Sequence, residues 1–447
     1  MQPDKNKLPF GSLRPVITVK MPAFGYDMEK FLFGFGELMA NGTVGVGGKT
    51  IEQALGELSD MTSGVPPIAN EEFEQRLEKL QALMKDKGVG AVYLHAGTNL
   101  YYFTGLKWNP SERMVAAIVP AEGEVCYIAP KFELDTLRDY WKLPAEILAW
   151  EEHESPYETL GRALESMNVT DKELLLDEAA PYFIVNGIKE ANPKLKLGHA
   201  QPLTQALRSR KSEAEINLIR RAHEMTLAVH AAAASILKPG ITTPEVVDFI
   251  DKAHRKVGAA AGSYFCIVLF DVGTSFPHGV KDAQTLREND WVLIDTGFLL
   301  DGYNSDITRS FCFGEPTDAH RAAWDVEKAA QIAAFDAAKI GEPCEVCDNA
   351  ARASLESAGY GPDYKLPGLP HRTGHGCGLD IHEGPNLVRG DKTPLEAGMV
   401  FSSEPMLVIP DQFGVRLEDH FYMTESGPEW FTQPSHLIDD PFGLNAL

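Results

Sequence analysis

Apolar Phe73, Leu77, Leu80 and Leu83 recur at helical spacing, which predicts a helix over Glu71–Lys87, and the unbroken apolar run Ala91–Leu94 reads as a buried strand. Strand-like runs at Val115–Val119 and Glu124–Ile128 and helical patterns at Tyr157–Ser166 and Ala180–Glu190 extend this into an α/β layer. Residues 1–68 carry short apolar runs without sustained periodicity and end in the turn-rich Thr62-Ser63-Gly64-Val65-Pro66-Pro67, so they read as an extended N-terminal arm. A basic cluster at Leu207-Arg208-Ser209-Arg210-Lys211-Ser212 leads into a long helical pattern, Glu213–Leu237, closed by Pro239-Gly240. That shift divides the rest of the chain into domains over 69–206 and 207–447. In the second, helical stretches (Thr243–Val257, Ala319–Ile340, Val346–Ser357) separate strand-like runs (Cys266–Phe270, Trp291–Gly297, Asn304–Phe313, Met399–Glu404, Val415–Thr424). The absence of a regular βαβ beat argues for an α+β fold over a doubly wound sheet.

Composition narrows the function. The 447 residues are 44% hydrophobic and 23% charged, enough apolar mass for two cores. With 41 basic against 64 acidic side chains the net charge is −23, a field that repels nucleic acid and anionic membrane surfaces. No apolar run approaches the roughly 18 residues of a membrane span. The stretch Phe31–Gly48 is mildly apolar, but Glu37 interrupts it and no clear cleavage site follows, which argues against a signal peptide and for a cytoplasmic protein. The six cysteines are too sparse for a disulfide framework, and Cys344/Cys347, although spaced as CxxC, lacks a second pair and reads as structural.

Chemistry concentrates in three segments of the second domain. In Trp291–Phe311 an Asp301-Gly302 turn signal lies between two β-rich runs. A two-residue loop there sets Asp295 opposite Thr308, with Asp306 a diagonal neighbour on the same face. A carboxylate in so apolar a strand costs several kcal/mol unless compensated, and a metal is the compensator that two carboxylates suggest. In His371-Arg-Thr-Gly-His375-Gly-Cys-Gly378, the i, i+4 histidines have zinc-helix spacing, but three glycines forbid the helix. The glycines point instead to a backbone passing close to another group, presenting His375 from a strand or loop. The third segment carries Glu404 after an apolar strand, and Arg416 and Glu418 share one face of another, where a surface ion pair is the plain explanation. Together, Asp295, Asp306, His375, Glu404 and Glu418 offer four carboxylates and one imidazole. Two dications would balance them, whereas like charges about 4 Å apart repel by roughly 4 kcal/mol per pair at an effective dielectric of 20. Oxygen-rich ligation with one nitrogen suits Mn²⁺, with Co²⁺, Fe²⁺ or Zn²⁺ as alternatives.

In order and wording these segments resemble the pita-bread metallopeptidases, the group that holds methionine aminopeptidase, aminopeptidase P and prolidase, over roughly Glu71–Thr432. The resemblance implies a C-terminal pita-bread domain behind a smaller creatinase-like α/β domain. It also implies that Asp306 and Glu418 bridge two metals, that Asp295 chelates one, and that His375 and Glu404 hold the other. By the same resemblance His278, in Phe276-Pro277-His278-Gly279, and His382 are substrate-side histidines, and Arg416 lies beside the last ligand, where it either steadies the metal ligands or meets a substrate carboxylate. Glu404 becomes the proton shuttle, with His278 and His382 stabilising the oxyanion. Two departures stand out: Asn304 replaces the small residue that commonly precedes Ser-Asp, and Phe270-Asp271-Val272-Gly273 lacks the family's asparagine.

The two-domain plan and the phrase His371-Arg372-Thr373-Gly374-His375-Gly376 are most like the proline-specific branch. The expected activity is hydrolysis of Xaa-Pro bonds in small peptides, as a dipeptidase ahead of an aminopeptidase on longer chains. A homodimer is expected too, with Trp108 at the lip of the site. The rivals are a pita-bread enzyme with another substrate, such as a lyase or phosphotriester hydrolase, and a metal-free creatinase-like or binding module. The latter lack the ligand set carried here.

Overall fold

A computed structural model of the chain describes residues 42–445. Most of the arm therefore lies outside the described residues, including most of the Phe31–Gly48 stretch. The part that is described is not simply extended. Thr50 caps the helix Ile51–Glu57 through a reciprocal bond with Gln53. This helix buries Ala54 in the apolar cluster formed by the long helices of the second domain, and the amides of Gly47 and Lys49 bond the carbonyls of Ala234 and Ser235.

The first domain is a six-stranded sheet whose spatial order is Glu146–Trp150, Cys126–Pro130, Ala116–Pro120, Ala91–His95, Glu173–Leu176, Lys196–His199. Ala91–His95 runs antiparallel to Ala116–Pro120 and parallel to Glu173–Leu176, so the sheet is mixed. Its inner strands are buried on both faces, which is why Ala91–Leu94 shows no alternation. The helix Asn70–Lys87 covers one face with Phe73, Leu80 and Met84 and stops at Gly88, which takes a left-handed φ of 69°.

The boundary cluster is not a solvated linker. Arg208 and Lys211 are buried, and the apolar core of the first domain continues across it to Ile216, Ile219, Tyr303 and Leu379. Beyond it, Ser212 caps the helix Glu213–Ser235 with a capping box to Glu215.

The second domain is α+β, as its pattern predicts. Trp291–Gly297 is flanked antiparallel by Phe265–Phe270 and Ile307–Cys312. A five-stranded antiparallel sheet follows the spatial order Glu383–Leu387, Gly374–Gly376, Val400–Ser403, Asp419–Thr424, Gly427–Trp430. Met406–Ile409 pairs with Phe413–Arg416 in a separate ribbon. Two predicted strands are broken. Asn304–Phe313 splits around Ser305-Asp306, and Val415–Thr424 splits at Leu417-Glu418 because its halves pair with different partners. Both breaks fall at carboxylates. Cys344 and Cys347 are free, buried thiols in the core beneath the helices Asp318–Ala337 and Glu345–Ser357. Among the described residues, no helix is long and apolar enough to cross a membrane.

Candidate metal centre

The hairpin register is the one its turn dictates. Leu300 pairs with Tyr303 across Asp301-Gly302, both of which have positive φ, and Asp295 lies opposite Thr308. The Tyr303 hydroxyl donates to Glu215 at 3.0 Å and accepts from the buried Arg76, which pins the hairpin to the long helix. Asn304 donates through Nδ2 to the carbonyls of Gly378 and Leu379, both at 3.0 Å. The departure at this position thus ties the Asp306 segment to the glycine-rich segment.

That segment passes close to its neighbours because it has no side chains to hold them off. A Cβ on Gly374 would lie 2.1 Å from the Ser402 carbonyl oxygen, and one on Gly376 2.5 Å from that of Glu383. His375 emerges between them from a three-residue strand. Its amide donates to Ser402 Oγ at 2.9 Å and its Nδ1 bonds the Gly376 carbonyl at 3.0 Å, which leaves Nε2 facing the carboxylates. Nε2 lies 3.0 Å from Glu404 Oε1 and 3.9 Å from Asp306 Oδ2.

Glu418 arrives at the break between strands. Its amide bonds the Thr308 carbonyl, the Thr308 hydroxyl donates to its Oε2 at 2.6 Å, and Arg309 holds its carbonyl at 2.9 Å. The Arg309–Asp419 ion pair beside it, at 2.7 Å, is fully buried. Arg416 does not form a surface pair with Glu418. It is 3% exposed and donates to Asp295 Oδ2, Thr308 Oγ1 and the Pro277 carbonyl, so one guanidinium links a carboxylate to the loop that carries His278.

Asp306, His375, Glu404 and Glu418 thus gather at one place, and Asp295 is tied to them through Arg416 and Thr308. His375, Glu404 and Glu418 present ligand atoms within 4.8 Å of one another, as do Asp306, His375 and His382. Burial, with Glu418 and Glu404 nearby, pushes the Asp295 carboxyl up to about 7 against the pull of Arg416. Burial and then Glu404 likewise raise Glu418 to about 7, and burial with Glu418 and Asp295 raises Asp306 well above its usual range. Glu404 goes the other way. Burial opposes its ionisation, but His375 in contact holds its carboxyl well below the usual range, and Glu404 in turn raises His375 against the cost of burial. Asp295 Oδ1 and Glu418 Oε1 are buried without a hydrogen-bond partner. Four clustered carboxylates, two of them with an orphaned oxygen, and the His375 imidazole are a donor set that divalent cations fit, since the single Arg416 cation offsets only part of their charge.

The remaining predicted residues are placed less tightly. His382 is exposed as a whole residue, but its ring, 4.2 Å from that of His375, is partly desolvated, and that desolvation followed by the His375 charge lowers it to about 4. His278 is exposed on the loop after Asp271–Ser275. Trp108 is half-buried in the first domain, edge-on to Tyr140 at 6.4 Å. Two histidines not singled out for the site belong to its surroundings. His371 is half-buried, its Nε2 has no partner, and its titration is shaped first by burial and then by Glu404. His420 is fully buried with its Nε2 3.5 Å from Glu418 Oε1. Its only sequence signal is parity with Glu418 two residues earlier.

The comparisons with known proteins agree with this architecture. Residues 76–210 match the creatinase/prolidase N-terminal domain and residues 217–425 match metallopeptidase family M24. YkvY of Bacillus subtilis (strain 168), a dipeptidase by name, is 32% identical over 366 residues, 81% of this chain and 99% of that one. Among solved structures, prolidase from Thermococcus sibiricus has a TM-score of 0.74 at 30% identity, covering 81% of this chain and 97% of its own. Dipeptidase PepE from Mycobacterium ulcerans has a TM-score of 0.77 at 28% identity, covering 83% and 99%. The chain belongs to metallopeptidase family M24, with the creatinase-type first domain and pita-bread second domain that its motifs imply.

Proposed function

We propose that the protein is a dinuclear-metal Xaa-Pro dipeptidase, with Asp295, Asp306, His375, Glu404 and Glu418 as metal ligands. The observation that carries this reading is the gathering of Asp306, His375, Glu404 and Glu418, with Asp295 tied in through Arg416 and His278 and His382 on exposed loops nearby. Two bound dications would neutralise the carboxylates, polarise a scissile carbonyl and make water nucleophilic near neutral pH. Mn²⁺ suits so oxygen-rich a set.

The chain's own groups supply the rest. Glu404, in contact with His375, accepts a proton during attack and returns it to the departing proline nitrogen. His278 and His382 orient the peptide and donate to the developing oxyanion, and Arg416 holds Asp295 and the Pro277 carbonyl in place. Names among the relatives, prolidase and Xaa-Pro dipeptidase, support a proline-directed substrate. The reading includes a cytoplasmic homodimer, with Trp108 contributing to the mouth of the site.

The test is proline release from Xaa-Pro dipeptides beside matched Xaa-Pro-Xaa tripeptides, on protein stripped of metal and reloaded with Mn²⁺. Turnover of dipeptides alone is expected. Preference for tripeptides makes it an aminopeptidase, and two bound ions without cleavage of either overturns the peptidase reading.

A further inference from the structure

We infer that His420 is a sixth protein ligand of the metal centre, a second imidazole nitrogen presented beside the carboxylates Asp306 and Glu418. The inference rests on the proposed metal centre and adds a residue to it. Side chains two apart on an extended segment share a face. Asp419 therefore points away to its buried ion pair with Arg309, while Glu418 and His420 both look toward the cluster.

The environment of His420 is what makes it a donor rather than a packed histidine. Its relative exposure is 0%, yet neither Nδ1 nor Nε2 has a hydrogen-bond partner. Unmet polar atoms in a closed interior are costly unless something else meets them. The nearest charged group is Glu418, whose Oε1, 3.5 Å from Nε2, is itself unpartnered. Asp306, Glu418 and His420 present ligand atoms within 4.8 Å of one another, so a single cation would meet both the His420 Nε2 and the orphaned Glu418 oxygen.

The ring is also held in place. His223 packs against it with ring centroids 4.6 Å apart, and is itself fixed by a bond from Nδ1 to the Ile219 carbonyl and one from the Asp306 amide to Nε2. His223 thus has both nitrogens satisfied and serves as packing, whereas His420 has neither. The rings of His375 and His420 are 5.9 Å apart, near enough to serve one centre from two sides. A second nitrogen moves the donor set from one that suits Mn²⁺ toward one that suits Co²⁺ or Zn²⁺.

The experiment uses the full chain, labelled with ¹⁵N-histidine and loaded with Co²⁺, whose unpaired electrons shift the N–H resonances of coordinated imidazoles far outside the diamagnetic range. Two such resonances are expected, from His375 and His420. Substituting His420→Gln should remove one and weaken Co²⁺ binding at least about 10-fold in a chelator competition, with Mn²⁺ binding changed less. His382→Gln is made in parallel because that ring also lies near the cluster. Both resonances should persist in it, and this variant decides the matter if His420→Gln does not fold. A single shifted resonance in the unsubstituted protein, no loss in His420→Gln, or loss in His382→Gln instead would overturn the assignment. If no Co²⁺ binds at all, the metal centre itself fails, an outcome separate from binding with His375 as the lone imidazole.

Discussion

Arg416 Nη2 donates to Asp295 Oδ2 at 2.5 Å across 121 residues of sequence, with both side chains buried. The same guanidinium meets the Thr308 hydroxyl that donates to Glu418, so it acts on two carboxylates of the site at once. Replacing Arg416 with Ala leaves those acids to repel each other and frees the Pro277 carbonyl. Affinity for Mn²⁺ is expected to fall about 10–100-fold, as for the loss of other groups that orient metal ligands. Arg416→Lys, which keeps the charge but loses the fork, should fall between the two. Isothermal titration with Mn²⁺ measures this, and unchanged affinity in Arg416→Ala would rule out the orienting role.

Glu404 is the one carboxylate of the cluster driven toward ionisation, and it is in contact with His375. Glu404→Gln keeps the shape and the bond from Ser402 Oγ but cannot take a proton. Turnover of an Xaa-Pro dipeptide should drop about 10²–10⁴-fold, while the thermal midpoint of the metal-free protein moves by no more than a few degrees. Retained turnover sinks the proton-transfer role. A large drop in melting temperature would make the loss structural.

Some of the site is legible in the sequence because local geometry determines it. Asp301-Gly302 fixes the parity of the hairpin, and parity alone puts Asp295 opposite Thr308. The glycines around His375 likewise announce a close approach before the approaching group is known. What sequence cannot supply is burial set by distant strands. Arg416 and Glu418 read as a surface pair because alternation does not say whether the polar face meets solvent or a second sheet. Here it meets Asp295 and Thr308. His420 is lost for a related reason, since a lone histidine in an apolar segment looks the same whether its nitrogens are satisfied or orphaned, and His371 drops out with the helical pair that the glycines forbid. The boundary at Arg208 and Lys211 shows the same limit. A basic run reads as a linker, yet both residues are buried against Glu383, beside His382.

Gly374 makes the strand crossing possible, since a Cβ there would lie 2.1 Å from the Ser402 carbonyl oxygen. Gly374→Ala must push apart the two strands that position His375 and Ser402. A loss of about 2–4 kcal/mol in stability is expected from overpacking, together with weakened metal binding. Gly56→Ala is the control. A Cβ on Gly56, in the helix Ile51–Glu57, meets nothing within 4 Å, and exchange for the better helix former should stabilise by roughly 0.5–1 kcal/mol. Paired thermal melts of the two variants check both signs. Equal effects would show that backbone freedom, rather than the crossing, sets the requirement at Gly374.

Metal removal should leave a pH signature whose sign follows from the crowding of the acids. Asp295 and Glu418 have carboxyls raised to about 7 in the folded chain, and Asp306 is raised as well. Their values in an unfolded chain lie near 4. The metal-free fold therefore binds more protons than the unfolded chain between about pH 4 and pH 7, and the stability these groups lend is full below that window and lost as pH rises through it. Divalent ions compete with those protons, so loading should stabilise more as pH rises. Melting the chelated and Mn²⁺-loaded protein at pH 5, 6, 7 and 8 should show a gap that widens with pH. Taking the difference cancels other buried groups that titrate in the same range, such as His95. Glu418→Gln should flatten the pH dependence of the chelated protein, because it removes one of the shared protons. A gap that stays constant, or narrows toward pH 8, would mean that the carboxylates are compensated without metal.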